Sequence, residues 1–161
     1  MAVDYFLKLD GIQGESQDAN HKDEIQLLSF SWSGTQQSTV GGGTGGSSAG
    51  KVSLGDFQIM KMLDKGTPKA FQAMTMGKHI QSGLMSACKS AGVSGGKPFV
   101  TLKFKELFVT SQQISGSSEV PTESVSFSYN EVTIEYFTQN EQGNLTSTGS
   151  VTYNTKTNAS S

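Results

Sequence analysis

Apolar side chains in this chain recur at every second position, and in two places the phase of that alternation slips partway along a run. Val3, Tyr5, Leu7 and Leu9 share one parity, and Leu28, Phe30 and Trp32 share another, opposite Ser29, Ser31 and Ser33. Period two is the mark of a half-buried strand, with alternate side chains on opposite faces. Val100, Leu102 and Phe104 lie on one face, but after Glu106 the pattern resumes one step out of phase at Leu107 and Val109. Val125, Phe127 and Tyr129 give way in the same manner to Val132, Ile134 and Tyr136, with the slip at Asn130 and Glu131. A one-residue slip moves every later side chain to the other face. Two long strands that slip in mid-course therefore predict β-bulges, or strands that bend from one layer of a sheet to another. Leu145, Val151 and Tyr153 give a further run of one parity near the C-terminus.

One segment breaks this rhythm. Ala70, Phe71 and Met74 have helical spacing, Thr67 suits the cap, Pro68 the first helical position and Gly77 the residue past the end. The expected fold is mainly β: a small barrel of antiparallel strands with one short flanking α-helix and an extended Gly/Ser-rich loop. Residues 1–161 make one domain by the usual size prior. The loop spans 36–50 and is expected to be flexible, because its glycines and small polar residues have much backbone entropy to lose. The tail, 155–161, is expected to be unstructured by the same reasoning.

Composition excludes several functions. Net charge is −2, and all twelve basic residues are lysines. Without a basic surplus, or arginine to fork onto phosphates and bases, nucleic acid is not the expected partner. No apolar run exceeds three residues. Membrane insertion by a helix, which needs about 20, is not expected. Asp4 and Lys8 interrupt the N-terminus where a cleavable signal would need its apolar stretch, so export without a cleaved signal peptide is expected. Cys88 is the sole cysteine, so no internal disulfide forms. His21 and His79 offer too few ligands for zinc, and no metal or cofactor is expected.

The catalytic motifs are weak. Gly41, Gly43 and Gly46 fit a dinucleotide fingerprint, but a polar stretch precedes them and no helix follows. Gly45, Gly50 and Lys51 approach a phosphate loop, but Val52 replaces its hydroxyl residue. Glu131 and Glu135 share a strand face, as a glycosidase pair could, and as strand surfaces routinely do. Cys88 is a nucleophile only with a base, for which His79 is nearest, and is otherwise a small buried hydrophobe. Ser29, Ser31 and Ser33 have two readings: an ordinary solvated face, or a smooth polar wall lining a pore.

An ordered set of segments carries a resemblance. The start MAVDYFLKLDGIQGESQD, followed by His21, resembles the haemolysin-coregulated protein (Hcp) family. So do Ser29-Phe30-Ser31-Trp32, the glycine-rich loop, Thr67-Pro68, the GKH at 77–79, TLKFKELFVTS at 101–111 and ESVSFSYNEVTIEY at 123–136. The resemblance runs collinearly from Met1 to about Tyr136 and is less clear beyond it. It implies a non-enzymatic β-barrel that forms six-membered rings, and rings that stack into the inner tube of a type VI secretion machine. It implies partners in the sheath, the spike and effector proteins held in the lumen, with Ser31 matching a lumen contact. It further implies a bacterial cytoplasmic protein that is secreted after assembly. Ser29, Ser31 and Ser33 are then the candidate lumen contacts, and Gln36, Gln37, Thr44 and Lys51 the candidate contacts of a ring-stacking loop. A monomeric ligand- or carbohydrate-binding β-module is the alternative. A hydrolase using Glu131 and Glu135, or Cys88, is the third.

Overall fold

A computed structural model describes residues 2–38, 49–89 and 96–161. The chain runs β1 (Val3–Leu9), β2 (Ile25–Leu27), β3 (Ser29–Ser31), β4 (Gly34–Ser38), β5 (Ala49–Leu54), β6 (Phe57–Met62), α1 (Thr67–Thr75), β7 (Ile80–Lys89), β8 (Pro98–Ser115), β9 (Thr122–Ser128), β10 (Glu131–Gln139), β11 (Leu145–Asn154) and β12 (Ala159–Ser160). Antiparallel ladders join ten strands into one sheet, and β4 and β5 pair with each other.

β8 organises the sheet. Its first half lies between β7 and β10, and its second half pairs with β9. β9 and β10 follow one another along the same side of β8, so these segments form one long hairpin with a bend. The bend falls where both phase slips were expected. Glu106 has a positive φ of 54°, and Leu102 and Phe104 before it and Leu107 and Val109 after it are all buried. Opposite, the Asn130 N–H donates to the Lys105 carbonyl at 3.1 Å and its side-chain amide bonds Glu106. Reversing the phase here keeps apolar residues inward on both sides of the corner.

One arm of the bent hairpin continues through β10 to β11 and β12 and through β7 to β1 and β2. The other is a four-stranded unit in the order β3, β6, β9, β8. The small barrel is thus an open, strongly bent sheet. Its two arms meet again at Leu28, where the chain leaves β1 for β6 and the Leu28 N–H donates to the Met60 carbonyl at 2.7 Å. No single ladder closes the circuit, because β2 and β3 are three-residue strands on different neighbours. The core between the arms is built on Leu7, Phe57, Phe104, Leu107 and Phe127.

Three sequence expectations shift. Gly66, rather than Thr67, caps α1, because the Thr67 hydroxyl is engaged elsewhere. Pro68 lies in the first turn, and Gly77, at φ +61°, follows the end as expected. The helix buries Ala70 and Ala73 and leaves Phe71 55% exposed. Small residues let α1 sit close to the sheet, so of the expected stripe Ala70 and Met74 face the core, Ala73 joins them and Phe71 does not. The loop expected over 36–50 is strand at both ends: Gln36 pairs with Val52 and Ser38 with Ala49. In the tail, β12 returns to β11, with Thr152 and Ser161 exchanging two backbone bonds of 2.7 Å. Asn154 makes that return, its carboxamide oxygen accepting the N–H groups of Lys156 and Thr157.

Candidate functional site: a hydroxyl-lined sheet face

Alternation decides which side chains the four-stranded unit shows. Phe30 and Trp32 pack on the core, so Ser29, Ser31 and Ser33 are exposed on the opposite face. Trp32 is fixed there, its indole N–H donating to the Tyr129 hydroxyl at 2.5 Å, which donates to the Gly55 carbonyl at 2.8 Å. Burial first of all pushes the Tyr129 pKa up.

Register extends this face across the unit. Ser31 is opposite Gln58, which is opposite Ser126. Ser29 is opposite Met60, which is opposite Ser124. The serines of β9 escaped the sequence reading, although Ser124, Ser126 and Ser128 alternate with Val125 and Phe127 just as those of β3 alternate with Phe30 and Trp32. The same pattern on two strands was the available signal. Gln36, Gln37 and Lys51 lie instead on the β4–β5 hairpin and are exposed; Thr44 lies outside the described residues.

The inward side of the same unit holds a charge cluster that the sequence reading also passed over. Lys61 and Glu123 are directly opposite in register and are 2% and 1% exposed. The Lys61 ammonium forms ion pairs with Glu123 and with Asp64, the latter at 2.8 Å. Thr67 and Gln112 each donate to Glu123 at 2.8 Å. Gln112 also donates to the Thr67 carbonyl at 3.2 Å, tying the start of α1 to β8 and β9. Burial opposes charge on Glu123 more than any other single effect. The bonds from Lys61, Gln112 and Thr67, with the Lys61 charge, outweigh it and hold the carboxyl below its ordinary 4.5.

Neither catalytic alternative gains a site. Glu131 pairs with Lys105 at 3.1 Å, Glu135 accepts a bond from Ser147 at 2.6 Å, and the cleft that Glu131 lines with His79 and Glu106 does not include Glu135. Cys88 meets His21, not His79: its sulfur is 3.4 Å from Nε2, while Nδ1 is 2.9 Å from Glu24. An ionised carboxylate only accepts, so Nδ1 donates to Glu24 and, in the neutral ring, Nε2 accepts the thiol proton. Burial, followed by the charges of Asp18, Glu24 and Asp4, pushes the thiol up to about 11. That is the opposite of activation. Iodoacetamide should alkylate Cys88 at least ~100-fold more slowly in the folded protein than in urea at neutral pH. Equal rates by mass spectrometry would contradict this buried, protonated thiol.

Among the described residues no helix is long and apolar enough to cross a membrane, and no cluster of three or more His, Cys, Asp or Glu could hold a metal ion.

Comparison with known proteins matches residues 6–136 to the family described as "Type VI secretion system effector, Hcp". The chain is 34% identical over 145 residues to Protein hcp1 of Pseudomonas aeruginosa, covering 89% of this chain and 88% of that protein. It is similar to the solved structure of a type six secretion system protein, with a TM-score of 0.90 and 31% identity over 99% of this chain and all (100%) of the other. Hcp1 from Salmonella typhimurium gives a TM-score of 0.80 at 32% identity, with 100% of each chain covered.

Proposed function

The chain belongs to the Hcp family of type VI secretion tube proteins, and from that premise we propose that six copies close into a ring, that rings stack into a tube, and that the hydroxyl-lined face carries effector proteins in the lumen. The family is one of structural secretion proteins. The observation that carries the proposal is the four-stranded unit, whose two outer strands differ: three-residue β3 on one side and the second half of β8 on the other. Unlike edges that can pair with each other suit a heterologous contact, which closes into a ring when the rotation per subunit fits. Such a ring turns one face of each unit toward its centre, and on the Ser29–Ser31 face the strands β3, β6 and β9 show small hydroxyls, Gln58 and two methionines but no charged side chain.

The β4–β5 hairpin, with Gln36, Gln37 and Lys51, is the proposed contact between rings, and Thr44 is proposed to act with them. Sheath, spike and effectors are the proposed partners. The protein is made in the bacterial cytoplasm, assembles there and leaves the cell with the tube.

Ser31→Gln tests the carrier role. Its side chain is exposed, so ring and fold should survive while the bulkier amide crowds the lumen wall. Effector co-purifying with the ring should fall by about tenfold, which corresponds to roughly 1.4 kcal/mol of contact. Unchanged co-purification with a ring of unchanged mass would remove this face from cargo binding.

A further inference from the structure

We propose that Met60 and Met62 are the apolar contacts with which this face holds a passenger, and that they select uncharged passenger surfaces bearing aliphatic or aromatic side chains. The proposal rests on the carrier reading above and specifies the chemistry of the same face.

β6 is an inner strand of the four-stranded unit, yet Met60 and Met62 are 44% and 49% exposed. Their cross-strand neighbours are small: Ser29 and Ser124 flank Met60, and Thr122 lies beside Met62. The two thioethers therefore stand above a floor of hydroxyls. Apolar groups that stand uncovered side by side on one face, rather than scattered singly, are what a contact surface requires. Beside Met62 a cleft of about 320 Å³, lined by Leu28 and Leu63 and at its polar side by Glu15 and Asp64, has room for an apolar side chain.

Charge decides the nature of the passenger. β3, β6 and β9 carry two charged residues, Lys61 and Glu123, and both point inward and pair with each other. Asp56, just before β6, accepts a bond from Thr110 at 2.8 Å. A charged passenger group laid over Met60 would lose its water and meet no charged side chain of β3, β6 or β9. An apolar group would gain by covering the methionines, while Gln58 and the serines satisfy the polar groups around it. Methionine is unbranched and polarisable, so it reshapes to different partners. One wall can then hold passengers of different shape.

The test uses the purified assembled protein and three short fluorescein-labelled Gly–Ser peptides carrying two leucines, two lysines or two glutamates, with binding read by fluorescence anisotropy. The leucine peptide should bind best, and its affinity should not fall as salt is raised, because no ion pair is involved. Met60→Gln with Met62→Gln should weaken it by about tenfold. Met60→Leu with Met62→Leu should retain it. Preference for either charged peptide, absence of leucine-peptide binding, or indifference to the Gln pair overturns the proposal. If Ser31→Gln lowers effector co-purification while the Gln pair changes neither that nor peptide binding, the carrier face stands and the methionine role falls. If neither variant changes effector co-purification, both fall.

Discussion

Lys61→Met should destabilise the fold by about 3–5 kcal/mol, the cost typical of removing one member of a buried ion pair. The ammonium is almost fully enclosed and stands between two carboxylates, Glu123 and Asp64. Removing it leaves two like charges facing each other, with Glu123 relying on neutral donors from Thr67 and Gln112. Because Thr67 opens α1 and Gln112 belongs to β8, the damage should include loosening of the helix from the sheet. Urea unfolding at neutral pH measures the loss, and a change below about 1 kcal/mol would mean that water reaches the cluster. The pH dependence has a defined sign. A carboxyl whose folded pKa lies below its ordinary 4.5 stabilises the fold above that value. The contribution is lost as pH falls through the lower, folded value. Without Lys61, burial should raise the Glu123 pKa instead, so the deficit of the variant should narrow as the medium is acidified.

Phe57→Ala should cost a similar amount, about 3–5 kcal/mol, through lost burial and the cavity left behind. Phe57 is fully buried on β6, and its ring lies 4.6 Å from Phe104, 6.2 Å from Phe127 and 6.5 Å from Phe30. Phe104 sits on the part of β8 before the Glu106 corner and Phe127 on the strand beside the part after it. The ring therefore fills the space between the two arms of the bent sheet. A urea midpoint lowered with an unchanged slope is expected. A loss of less than about 1 kcal/mol would show that the arms close over the gap.

Much of the fold was legible because period two is a strong signal and a phase slip has few physical explanations. Glu106 and Asn130 were both found from the sequence as slips; that they face each other across one corner was not, since pairing partners are long-range. The four-stranded unit with its hydroxyl face was half legible. Ser29, Ser31 and Ser33 stand out against Phe30 and Trp32, but Met60 and Met62, flexible apolar residues that suit a core equally well, do not. Parity alone could have corrected that, because they alternate with Phe57, Ile59 and Lys61. The same parity places Lys61 and Glu123 inside, opposite in charge, a pair findable once β6 and β9 are known to be neighbours. The returning tail was missed because its strand is two residues long and held by backbone bonds and an asparagine-led turn, which leave no apolar pattern. On the helix Ala70 and Met74 were legible, whereas Phe71 was misplaced because Ala73 counts little on a hydrophobic scale yet makes the close approach.

Ring and tube both require that copies of this protein join through the unlike edges β3 and β8. Sedimentation velocity of the purified protein over a wide concentration range tests it directly. A discrete species about six times the 17.1 kDa chain mass, growing into longer assemblies as concentration rises, is the predicted result. A single 17.1 kDa species at every concentration would contradict it.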